Sequence, residues 1–256
     1  MAMLLLKKIV YFRVDEDCPQ RLFLLFLLVR LVVVIHRRTQ TGNSMCAMKE
    51  ITTEEISRAV ARMAVDACCL LPDDMVAGLA RARQEESSPI GQAILEQLQE
   101  NAALARAESM PICQDTGLAV VFASVGQDVR IVGGDFESAI HEGVRRGYTQ
   151  GYLRKSCVAE PLLERKNTGD NTPAVIHTRI VPGDALRLRL APKGAGSENK
   201  SLLRMLVPAD GIDGVRRVVL EAVKAAGPSA CPPMVVGVGI GGTMEVAALC
   251  AKRAAA

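Results

Sequence analysis

The hydrophobic periodicity of the chain changes near residue 110, and this change restricts the class of fold. Before it, apolar residues recur at the spacing of an α-helix, as in the stripe that begins at Ile56. Thr52 and Glu55 fit a capping box at the start of that stripe. After it, apolar runs of strand length alternate with amphipathic stretches. The sequence therefore predicts an α/β fold with a helical N-terminal layer, followed by a mixed β-sheet with packed helices.

The same patterns give approximate positions for the elements. Helices are predicted from residue 52, over about 73–85 and from Pro89 to about 107. The second part should contain strands at 118–125, 129–132, 174–181, 185–191 and 234–240, and helices from Asp135 to about Arg146, over 211–226 and at the C-terminus. Leucine and arginine alternate in the strand at 185–191, so one face of that strand should meet solvent.

The first 47 residues do not share this pattern. Residues 22–35 form an apolar run of 14 residues with Arg30 inside it, shorter than the roughly 20 residues that a membrane span needs. A signal peptide fits poorly, since acidic residues precede the run and no small-residue cleavage pattern follows. We interpret 1–47 as an extension foreign to the fold, either disordered or a short hydrophobic anchor, and expect one domain at 48–256.

Composition excludes some functions. The net charge is only +3, Trp is absent and aromatic residues make up 3%, which argues against a nucleic-acid-binding protein. The 8 cysteines lie far apart and form no C-x-x-C pair, which is typical of reduced thiols in a cytoplasmic protein.

The segment PICQDTG, at 111–117, places a thiol, an amide and a carboxylate in a turn before a strand. These groups belong to Cys113, Gln114 and Asp115. Such a cluster is costly to fold unless it meets a ligand. Taken alone, however, it is more often an Asx-type turn with a buried cysteine.

Two basic segments could bind anions. In KGAGSENKS, at 193–201, the glycines and lysines could build a nest of backbone N–H groups. Asn199 stands where a phosphate loop needs glycine, so a nucleoside triphosphatase is excluded. In GYLRKS, Arg154 could clamp a carboxylate, although a solvated basic loop is the simpler interpretation of a single arginine.

A third segment joins a cysteine to a glycine-rich strand. Cys231 precedes two prolines, which should fix the direction of its thiol. The glycines of GVGIGG match a dinucleotide fingerprint between a strand and a helix, which favours an oxidoreductase as the alternative function. The acidic residue that such a site needs about 20 residues later is missing.

Together, PICQDTG, GYLRKS, NTGDNTPAVIHTRIVPGD, KGAGSENKS and ACPPMVVGVGIGGTMEVA resemble the class I fumarate hydratase and L-tartrate dehydratase family, in this order. The resemblance is to the α subunit, or to the N-terminal domain of single-chain members, and spans about 48–256. It implies a hydro-lyase that converts fumarate to malate or L-tartrate to oxaloacetate, and the residues leave these two substrates open. It also implies an oxygen-sensitive [4Fe-4S] cluster on three cysteines, with one iron open to substrate.

The resemblance also assigns individual roles. It implies the cluster ligands Cys113 and Cys231, the substrate-binding residues Gln114, Arg154 and Gly196, and the proton-transfer residue Asp115. The third ligand is expected downstream of the ACPP segment, beyond the end of this chain. Further catalytic groups are expected on a β subunit or a C-terminal domain, within a homo- or hetero-oligomer. Cys250 and the histidines His141 and His177 are expected to be structural. A catalytically incomplete remnant of such an enzyme is the other alternative.

Overall fold

The computed structural model describes residues 10–13, 33–35, 48–231 and 233–256 of the chain. Apart from two short strands, the extension expected at 1–47 lies outside these residues, and so does most of the apolar run at 22–35. In chain order the elements are β1 (Val10–Arg13), β2 (Val33–Ile35), β3 (Lys49–Thr52), α1 (Thr53–Cys69), α2 (Asp73–Glu85), α3 (Pro89–Glu108), β4 (Leu118–Gly126), β5 (Val129–Val132), α4 (Phe136–Gln150), β6 (Val175–Val181), β7 (Leu186–Lys193), α5 (Ala195–Glu198), α6 (Gly211–Ala226), β8 (Met234–Gly237) and α7 (Met244–Ala255).

The described residues form two compact units. The sheet unit comprises the described part of Arg30–Val76 together with Leu98–Lys193. The terminal unit comprises β1, Ala77–Gln97 and Gly194–Ala256. The mixed α/β class predicted from the sequence is confirmed.

A mixed sheet forms the centre of the sheet unit. Its strand order is β2-β7-β4-β6, in which β4 and β6 run parallel and the other pairs antiparallel. Leu186, Leu188 and Leu190 of β7 are buried while Arg187 is exposed, which confirms the predicted alternation. Beside this sheet, β3 pairs in parallel with β5, and sequence periodicity did not predict β3.

Helices α1 and α4 pack against each other and complete the core of the sheet unit. The predicted capping box is present: the Glu55 N–H donates to Thr52 Oγ1 at 3.2 Å, and the Thr52 N–H donates to Glu55 Oε2 at 2.9 Å. Asp135 caps α4 by accepting the Ser138 N–H at 2.7 Å. Helix α4 continues to Gln150, past the predicted end near Arg146, because its last turn carries the buried Tyr148.

The terminal unit is built on a parallel pair, β1 and β8, against which α7 packs. Strand β8 ends at Gly237, so the predicted strand at 234–240 is too long. The segment 193–201 is also not a simple loop, because 195–198 form a single helical turn, α5. No helix among the described residues has the length and apolar character needed to cross a membrane.

Candidate active site

Residues 109–117, which we call the cysteine loop, connect α3 to β4 and carry PICQDTG. The backbone of Ile112 is fixed on both sides. Its N–H donates to Cys68 O at 2.9 Å, and its carbonyl accepts the side-chain amide of Asn101 at 2.9 Å. Gly117 closes the loop with a positive φ of 62°, a conformation that glycine adopts at little cost.

The polar side chains of the loop lie at its surface. Cys113 and Gln114 are exposed, and Asp115 is half-buried. The Gly117 N–H donates to Asp115 Oδ1 at 3.1 Å, which is the expected Asx turn. The cysteine of that turn is exposed, however, so the interpretation of a buried structural cysteine is wrong.

The Cys113 thiol is held within its own turn. The Asp115 N–H donates to Cys113 Sγ at 3.5 Å, and the thiol lies 3.8 Å from Gln114 Oε1. Backbone N–H groups directed at cysteine sulfur are also found around iron–sulfur clusters. The loop therefore presents an exposed thiol with a backbone N–H directed at its sulfur.

Arg154 is joined to the cysteine loop through its backbone. Thr116 is 3% exposed, and its Oγ1 donates to Arg154 O at 2.9 Å. The Arg154 side chain itself is exposed. Among the described residues, no carboxylate lies within ion-pair distance of its guanidinium, so that group is available to an anionic ligand.

Tyr148 supports the loop from below. Its side chain is 0% exposed, and its hydroxyl donates to Thr116 O at 2.8 Å and lies 3.2 Å from Gly117 O. Burial raises the pKa of Tyr148 far above its ordinary value, so the hydroxyl remains a donor at physiological pH. Sequence analysis missed this residue, because a tyrosine on the apolar side of a helix gives no sign of a distant acceptor.

Cys231 lies in the terminal unit, after a short 3-10 helix at Gly227–Ala230. The cysteine is exposed and has a left-handed backbone with φ 54° and ψ 70°. Its N–H donates to Pro228 O at 3.1 Å. Residue 232, the first of the two prolines, lies outside the described residues. That two prolines direct the thiol therefore stays a prediction.

Gly196 belongs to the same corner of the terminal unit as Cys231. Helix α5 packs against the 3-10 helix, and a Cβ added at Gly196 would lie 3.6 Å from Ser229 O, an ordinary contact. Packing therefore does not require glycine at this position. Lys252 of α7 forms an ion pair with Glu198 and holds the α5 turn in place.

The glycines of GVGIGG serve packing. A Cβ added at Gly237 would lie 2.1 Å from Ala251 O, and one at Gly239 would lie 2.0 Å from Ala247 O. The backbone of α7 thus occupies the space that a dinucleotide pyrophosphate would need beside these glycines. This close packing explains the fingerprint without an oxidoreductase.

The three residues expected to be structural make contacts within the fold or are buried in it. His141 Nδ1 accepts the Ala174 N–H at 3.1 Å, and His177 stacks on Phe122 with ring centroids 5.2 Å apart. Cys250 is buried on α7.

The donor set can be compared with the needs of an iron–sulfur cluster. Cys113 and Cys231 are exposed, whereas the other cysteines in the described part of the chain are buried. Burial raises the pKa of Cys68 to about 12, which makes it a poor thiolate ligand. No group of three or more His, Cys, Asp or Glu side chains within 48–231 and 233–256 could hold a metal ion. Two thiols therefore fit the donor type, and the described residues supply no third.

The predicted site residues are divided between the two units. The sheet unit brings Cys113, Gln114 and Asp115 together on one loop and joins that loop to Arg154. The terminal unit brings Gly196 near the 3-10 helix that leads to Cys231.

Comparison with known proteins points to one family. Residues 57–256 match the family described as Fumarate hydratase (Fumerase). A putative L(+)-tartrate dehydratase subunit alpha from Methanocaldococcus jannaschii is 38% identical over 210 residues, covering 78% of this chain and 72% of the relative. The L(+)-tartrate dehydratase subunit alpha of Escherichia coli (strain UTI89) is 28% identical over 208 residues, covering 80% of this chain and 68% of that relative.

The match extends over most of the chain, includes all six candidate residues and agrees with the sequence resemblance. The chain therefore belongs to the fumarate hydratase (Fumerase) family of hydro-lyases.

Proposed function

We propose that this chain is the α-type subunit of an iron–sulfur hydro-lyase that adds water to, or removes it from, a C4 dicarboxylate. The observation that carries the proposal is the run of thiol, amide and carboxylate on the cysteine loop, in which Cys113 and Gln114 are exposed and Asp115 is half-buried. Buried Thr116 and Tyr148 hold that loop, and Thr116 links it to the segment of Arg154.

Cys113 and Cys231 would hold the cluster through their thiolates. When bound, the cluster supplies an iron with an open position, a Lewis acid for the hydroxyl and carboxylate of the substrate. The exposure of both thiols and the N–H directed at Cys113 Sγ support this assignment.

Asp115 is suited to transfer the proton. Its Oδ1 is occupied by the Gly117 N–H, and Oδ2 accepts no hydrogen bond from the described residues. In dehydration, the carboxylate takes the proton from the carbon next to the one that bears the leaving hydroxyl, and the C–H electrons form the double bond. In hydration, Asp115 returns that proton to carbon.

Arg154 and Gln114 would orient the substrate. The exposed guanidinium of Arg154 can take a substrate carboxylate in a bidentate fork, and the Gln114 amide can donate to a second oxygen. Gly196 has no packing reason to lack a side chain, which supports its assignment as a place where ligand passes close to the backbone.

The names of the relatives favour L-tartrate, converted to oxaloacetate, with fumarate and malate as the other pair. Because those relatives are named as alpha subunits, we propose a β subunit as partner, within a homo- or hetero-oligomer. The wide spacing of the cysteines in the sequence supports a reducing, cytoplasmic environment.

Turnover tests this function. The chain, loaded anaerobically with iron and sulfide and supplied with a tartrate dehydratase β subunit, should consume L-tartrate or malate. Asp115→Asn should lower kcat by about 100-fold or more, because the base is lost, while bound iron stays unchanged. Asp128→Asn, which alters a half-buried carboxylate of the β4–β5 turn, is the matched control and should keep wild-type turnover. Equal kcat in wild type and Asp115→Asn would contradict the role of Asp115.

A further inference from the structure

Asn171 is completely buried, with 0% exposure, although its side chain is a polar amide. It lies just before β6 in NTGDNTP, to which the sequence assigned no role. Its backbone is left-handed, with φ 61°, a conformation that asparagine tolerates better than most residues. A buried amide in this conformation requires an explanation from its hydrogen bonds.

The amide of Asn171 connects two other segments. Its Oδ1 accepts the N–H groups of Ser156 at 2.6 Å and Cys157 at 3.2 Å. Its Nδ2 donates to Gly117 O at 3.1 Å. The two donors and the one carbonyl fix which end of the amide is oxygen. One side chain thus joins the end of the cysteine loop to the segment that follows Arg154.

The loop around Asn171 does not depend on this amide for its own shape. Asp170 accepts the Thr172 N–H at 3.0 Å and the Arg145 Nε–H at 2.9 Å. The Thr168 N–H donates to Cys157 O at 3.0 Å. The side-chain amide of Asn171 therefore forms its hydrogen bonds with two other segments of the chain and not with its own loop.

We propose that Asn171 is a positioning residue, which fixes the cysteine loop relative to Arg154 through its hydrogen bonds to Gly117 O and to the Ser156 and Cys157 N–H groups. Its effect on the cysteine loop stands on the geometry alone, and its effect on catalysis rests on the function proposed above. Asp115 lies two residues before Gly117, and Arg154 two before Ser156. A loose link would therefore change the spacing between the proposed base and the proposed carboxylate binder.

Asn171→Asp tests this link selectively. A carboxylate can still accept the Ser156 and Cys157 N–H groups, but it has no proton to donate to Gly117 O. The matched control is Asn167→Asp in the same loop. Asn167 is exposed, donates to Lys155 O at 3.0 Å and makes no hydrogen bond to the cysteine loop among the described residues. Both variants add one negative charge.

The first measurement is amide hydrogen exchange of the full chain. In Asn171→Asp, the amides at Asp115 and Gly117 should exchange about tenfold faster, as expected for the loss of one hydrogen bond. Amides in the middle of α1 and α4 should exchange as in wild type, and Asn167→Asp should leave the cysteine loop unchanged.

The second measurement is turnover with the β subunit over a range of pH. In Asn171→Asp, kcat/KM should fall about 10- to 100-fold, because small displacements of reacting groups slow catalysis steeply. Turnover should partly recover as pH falls, since a protonated carboxyl regains the donor to Gly117 O. A merely structural defect would not be reversed by acid.

The two proposals can fail separately. Unchanged exchange of the cysteine loop in Asn171→Asp would overturn the positioning role, whatever the turnover. Absence of turnover in wild type would overturn the proposed function and leave the exchange result valid. If Asn171→Asp does not fold, Asn171→Gly keeps the left-handed conformation accessible and removes the amide. It should then show the same faster exchange, and its failure to do so would equally overturn the role.

Discussion

Tyr148 and Thr116 are buried beneath the exposed side chains of the cysteine loop. A buried hydroxyl without a partner is costly, so each of these groups is bound to a backbone carbonyl. At the residue scale, Cys113, Gln114 and Asp115 are the proposed reacting groups, and the buried Thr116 and Tyr148 set the geometry of the loop. The two contributions can be measured separately, because removal of a buried donor changes the free energy of unfolding and leaves the exposed side chains in place.

Tyr148→Phe should lower the free energy of unfolding by about 1–2 kcal/mol, because Thr116 O loses the buried hydroxyl that donates to it. Urea unfolding measures the change. Tyr152→Phe is the matched control because Tyr152 is 92% exposed, and it should change stability by less than about 0.5 kcal/mol. Equal effects of the two variants would contradict the buried hydrogen bond.

Asp170 should contribute to acid sensitivity. Burial alone would raise the pKa of Asp170, but hydrogen bonds from Thr172 and Arg145 outweigh it and lower that pKa to about 2. The folded state therefore binds this proton more weakly than the unfolded state does. The resulting stability, about 1 kcal/mol after screening by solvent, is present above pH 4 and is lost as pH falls toward 2.

Comparing wild type with Asp170→Asn by urea unfolding at pH 7 and pH 3 measures this contribution. Wild type should lose more stability than the variant over that interval, because only wild type has a carboxylate at this position to protonate. The same loss in both proteins would refute the assignment.

Sequence analysis proposed the candidate reacting residues but missed the residues that hold them. Cys113, Gln114 and Asp115 stand together in PICQDTG, and the resemblance to the family assigned their roles. Tyr148 and Asn171 contact Gly117 from 31 and 54 positions away, and only the fold brings them there. Long-range hydrogen bonds of this kind have no signature in a single sequence.

At the element scale, helix α4 carries glycines on the face that meets α1. A Cβ at Gly143 would lie 2.6 Å from Ser57 O, and one at Gly147 would lie 2.7 Å from Ala61 O. Both values are too short for a real contact, so the glycines allow the helix backbones to approach closely. The Ser57 hydroxyl uses this approach to donate to Ala139 O at 2.8 Å.

Gly147→Ala should therefore destabilise the chain by about 1–3 kcal/mol, because α1 must move away from α4. The sign of the stability change shows whether the position is closely packed, because a Gly→Ala change at an unpacked helical position stabilises the protein by about 1 kcal/mol. Thermal or urea unfolding measures the difference, with Gln150→Ala at an exposed position of α4 as the control. A stabilised Gly147→Ala would show that the helices are not in close contact.

Periodicity placed most elements well, with helices at 73–85 and 211–226 and the strand at 129–132 as clear cases. Periodicity gave wrong or missing elements where glycines, or a short segment with few apolar residues, left no hydrophobic pattern to detect. The apolar run after Met234 predicted a longer strand, but Gly237 and Gly239 lie against α7 and the strand stops. The four-residue strand β3 has the sequence KEIT, whose single apolar residue is too little for alternation to show, whereas VRIV of β5 has three apolar residues.

At the scale of the whole molecule, the six candidate residues are distributed over two compact units. The sequence alone could not indicate this division, because the motifs follow one another along the chain without regard to it. Cys113 and Cys231 lie 118 positions apart (231 − 113), so their joint role rests on family resemblance. That joint role is the central claim about the chain.

Bound iron per chain, after anaerobic reconstitution with iron and sulfide and with a small thiol present to occupy the position of the third ligand, tests this claim most directly. Wild type should bind iron and show the broad visible absorbance of a cluster. Cys113→Ser and Cys231→Ser should each lose both signals, because each removes a thiolate ligand, while Cys69→Ala, at a buried cysteine of α1, should keep them. Wild-type iron content in Cys113→Ser or Cys231→Ser would contradict the account.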